Sequence, residues 1–178
     1  MTERVLATSI AVALAASGTA CAQNTDAASS AGNPIALLDS TGNVAARPLN
    51  ETVMLVALGG GVVAPAVIRA VYDADGRATS ALATWHSGGS VLFTSADCTA
   101  GAHVYSLPHP GVRAASQVQT RDGIVLYVGE VGPTITAKIQ SILYDTGCAP
   151  VVVRQNGLLP VIATVNLTTT YPPPLSFQ

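Results

Sequence analysis

The residues with the most chemical capacity in this 178-residue chain are three histidines, His86, His103 and His109, and three cysteines, Cys21, Cys98 and Cys148. His86 adjoins Ser87, and Asp97 follows in the same stretch. A base, a nucleophile and an orienting acid can be drawn from these three, which is the logic of a small hydrolase. The local frame does not favour it. His86-Ser87-Gly88-Gly89-Ser90 lacks the Gly-x-Ser-x-Gly turn that lifts a nucleophilic serine out of a strand.

Metal and phosphate chemistry is as poorly provided for. His103 and His109 flank Val-Tyr-Ser-Leu-Pro with no carboxylate beside them. Metal sites show tighter spacing or a third ligand, so these histidines read as structural. Asp73-Ala74-Asp75-Gly76 opens like a calcium loop, but Leu82 and Ala83 stand where acids are required. A hairpin turn accounts for it better. Gly59-Gly60-Gly61 is not followed by the Lys-Ser/Thr pair of a phosphate loop. Beyond Glu3 the glutamates are Glu51 and Glu130, so paired-carboxylate chemistry would fall to aspartates that sit in turn patterns. No catalytic residue, cofactor or metal is assigned. Asn50-Glu51-Thr52 and Asn166-Leu167-Thr168 match the glycosylation pattern, which has little value if the source is bacterial, as the first 22 residues suggest.

The cysteines point to a compartment instead. Residues 1–22 read as a secretory signal peptide: Arg4, an uncharged apolar run from Val5 to Ala16, then Ala20-Cys21-Ala22 before Gln23. Small residues at −3 and −1 are what signal peptidase requires. A lipoprotein leader is the rival, with Cys21 lipidated; Ala20 fits that motif, whereas Gly18 stands where leucine is usual. With Cys21 removed or lipidated, Cys98 and Cys148 remain. An even pair in an exported chain reads as a disulfide, with two free buried thiols as the alternative. The bridge would close a loop of about 50 residues, worth roughly 4 kcal/mol on chain-entropy grounds. Export implies a periplasmic or extracellular protein, with a membrane reached only through the leader or a lipid anchor.

Composition narrows the partners. The chain is 49% hydrophobic, 4% aromatic and 10% charged, with a net charge of −2. Lys138 is the one lysine, and the arginines beyond the leader (Arg47, Arg69, Arg77, Arg113, Arg121, Arg154) are scattered. Phosphate backbones are bound by clustered cations, so nucleic acid is not an expected partner. An envelope component, a glycan or a second copy of the chain stay open. Trp85, Tyr105, Tyr127 and Tyr144 read as the large residues of a core, with a carbohydrate-stacking platform the alternative.

The elements that must position these residues are strands. Residues 23–33 are small and polar, a flexible spacer. Past Pro34, apolar runs of strand length alternate with turns: Ile35–Leu38 before Asp39-Ser40-Thr41-Gly42, Val53–Leu58 before the three glycines, Val67–Tyr72 before Asp73–Gly76. Val91–Thr94, Ile124–Val128, Thr134–Tyr144, Val151–Val153 and Val161–Thr170 follow. Pro65–Tyr72 has the one trace of helical pattern, but Val67, Ile68 and Val71 are β-branched and favour a strand. The uncharged run of 16 residues from Val53 to Ile68 contains three glycines and a proline, so two strands joined at the glycines explain it better than a membrane span. The two Asp-x-x-Gly turns predict two similar hairpins. The pattern as a whole predicts an all-β domain over residues 34–170, a small sandwich or barrel of short antiparallel strands with one disulfide. Residues 171–178, with three prolines, must be extended, and Leu175 and Phe177 can anchor this tail to the domain or to a neighbour.

Val71-Tyr72-Asp73-Ala74-Asp75-Gly76, then Phe93-Thr94-Ser95-Ala96-Asp97-Cys98, then Tyr105 resemble a group of exported bacterial β-rich proteins to which no activity is attached. The likeness extends to Leu126-Tyr127, to Ser141–Tyr144 before Cys148, and to Leu175-Ser176-Phe177. One departure is the extra residue in Thr99-Ala100-Gly101, which displaces the glycine after the cysteine. The resemblance implies display or binding and brings no catalytic residue. The expectation is therefore an exported, non-enzymatic structural or binding domain of the bacterial envelope or exterior, with a small secreted hydrolase as the alternative.

Overall fold

In a computed structural model, residues 35–106 and 112–178 are described. The leader, Cys21, the 23–33 spacer and His109 lie outside them. In chain order the strands are β1 (Leu37–Leu38), β2 (Val44–Pro48), β3 (Val53–Ala57), β4 (Val63–Tyr72), β5 (Ala78–Trp85), β6 (Val91–Phe93), β7 (Ala102–Tyr105), β8 (Ala115–Thr120), β9 (Gly123–Gly129), β10 (Ile135–Tyr144) and β11 (Gly147–Asn166). A single helical turn, α1 (Leu167–Thr170), and β12 (Leu175–Phe177) complete the chain. The protein is all-β, as its sequence pattern predicts.

Six strands close an antiparallel barrel in the order β1-β12-β5-β4-β3-β2. The residues between β5 and β12 supply a second sheet, ordered β10-β6-β7-β11-β9-β8. Alternation fixes which side chains fill the barrel: along β4, Ala64, Ala66 and Ile68 point inward, while Val67 and Arg69 stand outside. Ala45, Ala46 and Ala83 from neighbouring strands are also inside, and their small volume leaves room for Trp85. Ile124, Leu126 and Val128 of β9 and Leu167 of α1 join the same core, so the second sheet packs on the barrel through β9.

The two Asp-x-x-Gly segments make the same turn. Asp39 accepts from the Thr41 and Asn43 amides, and Asp73 from the Asp75 and Arg77 amides. Gly42 and Gly76 close the turns with positive φ of 84° and 74°. The expected bridge is present: Cys98 and Cys148 are joined with their Cα atoms 6.0 Å apart.

Two expectations need correction. Val151–Val153 and the strand that follows are one 20-residue strand, β11, whose first half pairs with β10 and whose last residues pair with β9. Leu167–Thr170 is helical rather than extended, because the Asn166 side chain caps it by accepting from the Thr169 amide. The Pro-rich end is extended and anchored to the domain, one of the two outcomes expected for it: Leu175–Phe177 is the barrel strand between β1 and β5. Leu175 is fully buried, and Ala36 and Gln178 exchange backbone hydrogen bonds of 2.8 and 3.0 Å.

Candidate functional site

A groove of about 640 Å³ lies between the outer face of β3 and β4 and the strand β8. Its floor is apolar, made by Val53, Pro65, Val67 and Ala115. That volume lies within the roughly 300–1,000 Å³ range of ligand sites. None of the described residues lining it is charged.

One wall is a short strap. β5 ends at Trp85, whose indole N–H donates to the Tyr171 carbonyl at 2.9 Å inside the barrel. The next residue makes the last rung, the His86 amide donating to the Val67 carbonyl at 3.0 Å. The chain then crosses to β6 through Ser87-Gly88-Gly89-Ser90, and the Gly89 amide donates to the Gln117 carbonyl at 2.9 Å. The crossing is close: a Cβ on Gly89 would lie 2.3 Å from Ser116 Oγ and 2.8 Å from the Gln117 carbonyl oxygen. Ser116 Oγ donates to the Ser90 carbonyl at 2.8 Å.

The opposite rim is the β2–β3 turn. Asn50 Oδ1 accepts from the Thr52 and Val53 amides, which fixes the side chain at the groove mouth. The far end closes with Gln117, which is buried on β8. Its amide Nε2 donates to the Val67 carbonyl at 3.2 Å, and its Oε1 accepts from the Val67 amide. A side-chain amide thus completes the β4 ladder where β5 has left it.

The structure brings some of the sequence candidates together and separates others. His86 and Ser87 both line the groove, His86 exposed and Ser87 half-buried. Asp97 is not among the lining residues. It sits in the β6–β7 loop and accepts from the Thr99 hydroxyl at 2.6 Å. That hydroxyl, with help from Ser95, holds its carboxyl below the usual aspartate value. The same loop is clasped to β10: Ser141 Oγ donates to the Ser95 carbonyl at 2.6 Å and accepts from the Cys98 amide at 3.0 Å. His103 is buried on β7, with Nδ1 2.7 Å from the Gly101 carbonyl. Among the described residues no three His, Cys, Asp or Glu side chains gather as a metal site.

The aromatics divide. Trp85 lies in the barrel core, and Tyr127 packs edge-on against Phe93 with centroids 6.5 Å apart. Tyr105 and Tyr144 are exposed. The four do not form one stacking platform. The residues to which the sequence reading gave no part in this groove are Gln117, Gly89, Pro65 and Asn50. Of these, Pro65 inside an apolar run and the Gly88-Gly89 pair were the visible signals, since both mark places where a ladder ends or a backbone approaches closely. Compared with protein-family models, curated proteins and solved structures, the chain finds no match.

Proposed function

We propose that this chain is exported and acts in the bacterial envelope or outside the cell as a non-enzymatic binding domain, with the groove between β3–β4 and β8 as its contact site. The groove carries the reading: it is concave, apolar-floored and uncharged among its described residues. Several of its polar side chains already serve the fold, Gln117 on Val67, Ser116 on Ser90 and Asn50 on Thr52. The Cys98–Cys148 bridge favours export, because disulfides persist in oxidising compartments.

The test has two parts. The full chain is expressed in a bacterium and its mature form is weighed intact. Cleavage before Gln23, or lipid on Cys21, together with a mass about two daltons low for the disulfide, supports export; an uncleaved cytosolic product rejects it. The mature protein is then incubated with envelope fractions and immobilised glycans. Retention that is lost on Ser87→Trp, which fills the groove, supports binding there. No retention, or retention indifferent to that change, rejects it.

A further inference from the structure

The groove exposes a strand edge as well as an apolar floor. In the β3–β4 ladder Val53 lies opposite Val67, Leu55 opposite Pro65 and Ala57 opposite Val63. The Ile68 amide donates to Thr52 on the β3 side, so backbone groups of the odd-numbered β4 residues point the other way, toward β5. β5 pairs only from Ile68 onward, and His86 adds one rung at Val67. Among the described residues no strand pairs with this second edge of β4 from Val63 to Ala66.

Pro65 stands on this open edge, where its missing N–H breaks no ladder bond. The edge therefore presents the Val63 amide and the Val63 and Pro65 carbonyls. Beside them, the Gln117 carboxamide occupies both backbone groups of Val67. An amide is thus already seated in the groove in the manner of a peptide bond.

We infer that the groove takes an extended, uncharged peptide segment of a partner protein, which adds to the β4 edge as a short strand. This rests on the reading of the groove as the contact site. The amide of Gln117 marks the hydrogen-bond chemistry of the first position, and the incoming strand continues it along Pro65 and Val63. Alternate side chains of the segment lie on the floor of Val53, Pro65 and Val67. Charge sets the selectivity: the described lining residues include no Asp, Glu, Lys or Arg. A lysine or glutamate pointing at this floor would lose its hydration without gaining a partner.

The experiment titrates the isotopically labelled mature protein with the capped peptide Ac-Thr-Val-Thr-Val-Thr-NH2 and follows backbone amide resonances. Saturable shifts at Val63, Val67 and Gly89 are expected. A peptide N-methylated on alternate residues, and one with lysine in place of valine, should each bind at least tenfold more weakly. The neutral detergent octyl glucoside serves as an apolar probe without a strand backbone. Equal binding of the N-methylated peptide, or shifts from the detergent alone, overturns strand addition while leaving the groove as a contact site. Absence of binding by every probe overturns both. Because the comparison is between peptides on one unaltered protein, it does not depend on any variant folding.

Discussion

Gln117 and Val67, fifty residues apart, are joined by a two-point amide pairing that ties β8 of the second sheet to β4 of the barrel. Gln117 is 6% exposed, so its own carboxamide is sheltered, while Val67 is 36% exposed at the groove. Gln117→Leu should cost about 0.5–1.5 kcal/mol, the net worth of a hydrogen bond, because the Val67 amide loses its acceptor while the Val67 carbonyl keeps the His86 amide. Chemical denaturation measures it, and hydrogen exchange at the Val67 amide should accelerate in the variant.

Gln117→Glu gives a sharper form of the same prediction. A protonated glutamate can accept from the Val67 amide and donate to its carbonyl, as the glutamine does. The carboxylate cannot donate, and it places a charge over an apolar floor, so burial raises its folded pKa above the ordinary value of about 4.3. The proton is then held more tightly in the folded state. Stability is fully present below about pH 4 and is lost as pH rises through the raised folded value. A variant equally stable at pH 4 and pH 8 would contradict the pairing.

Gly89 tests the strap. Its added Cβ meets backbone of Gln117 as well as Ser116 Oγ, and backbone cannot step aside. Gly89→Ala should destabilise by about 1–3 kcal/mol, the usual cost of overpacking. Gly132→Ala, where nothing lies within 4 Å and φ is not positive, is the matched control and should change little.

The strands and turns were legible where local chemistry settles them. Asp39 and Asp73 announce their turns because an aspartate four residues before its last amide partner can close the loop unaided. The Cys98–Cys148 pair was legible by count. The groove was not. It arises because β5 abandons β4 at Trp85 and a glutamine from a distant strand takes its place, and no periodicity encodes a partner fifty residues away. The place of the extended end was hidden for a related reason: three prolines argue for extended chain, and only closure of the barrel reveals that β12 fills the gap between β1 and β5.

That closure makes the last residues structural. Leu175 is fully buried and its strand stands between β1 and β5 in the barrel order. Leu175→Ala should cost roughly 2–5 kcal/mol. Removing residues 175–178 should do more, exposing two strand edges at once, and the truncated protein should aggregate or fail to give a cooperative transition in thermal melts.

The acid limb of stability has an identifiable contributor. Asp39 is 4% exposed, and its carboxyl is held below the ordinary 3.8 first by the Thr41 hydroxyl, with the Asn43 and Thr41 amides adding to it against the cost of burial. A depressed folded value means that the unfolded chain takes up the proton first as pH falls. The contribution of Asp39 is therefore present above about pH 4 and disappears as pH drops through its lower folded value. Thr41→Val removes the leading cause while leaving the backbone donors in place. The Asp39 carboxyl resonance should then titrate closer to 3.8, and the variant should lose less stability than the parent between pH 5 and pH 2. Asp39→Asn should flatten the acid profile further. A Thr41→Val profile identical to the parent's would show that the Thr41 hydroxyl does not set the acid response.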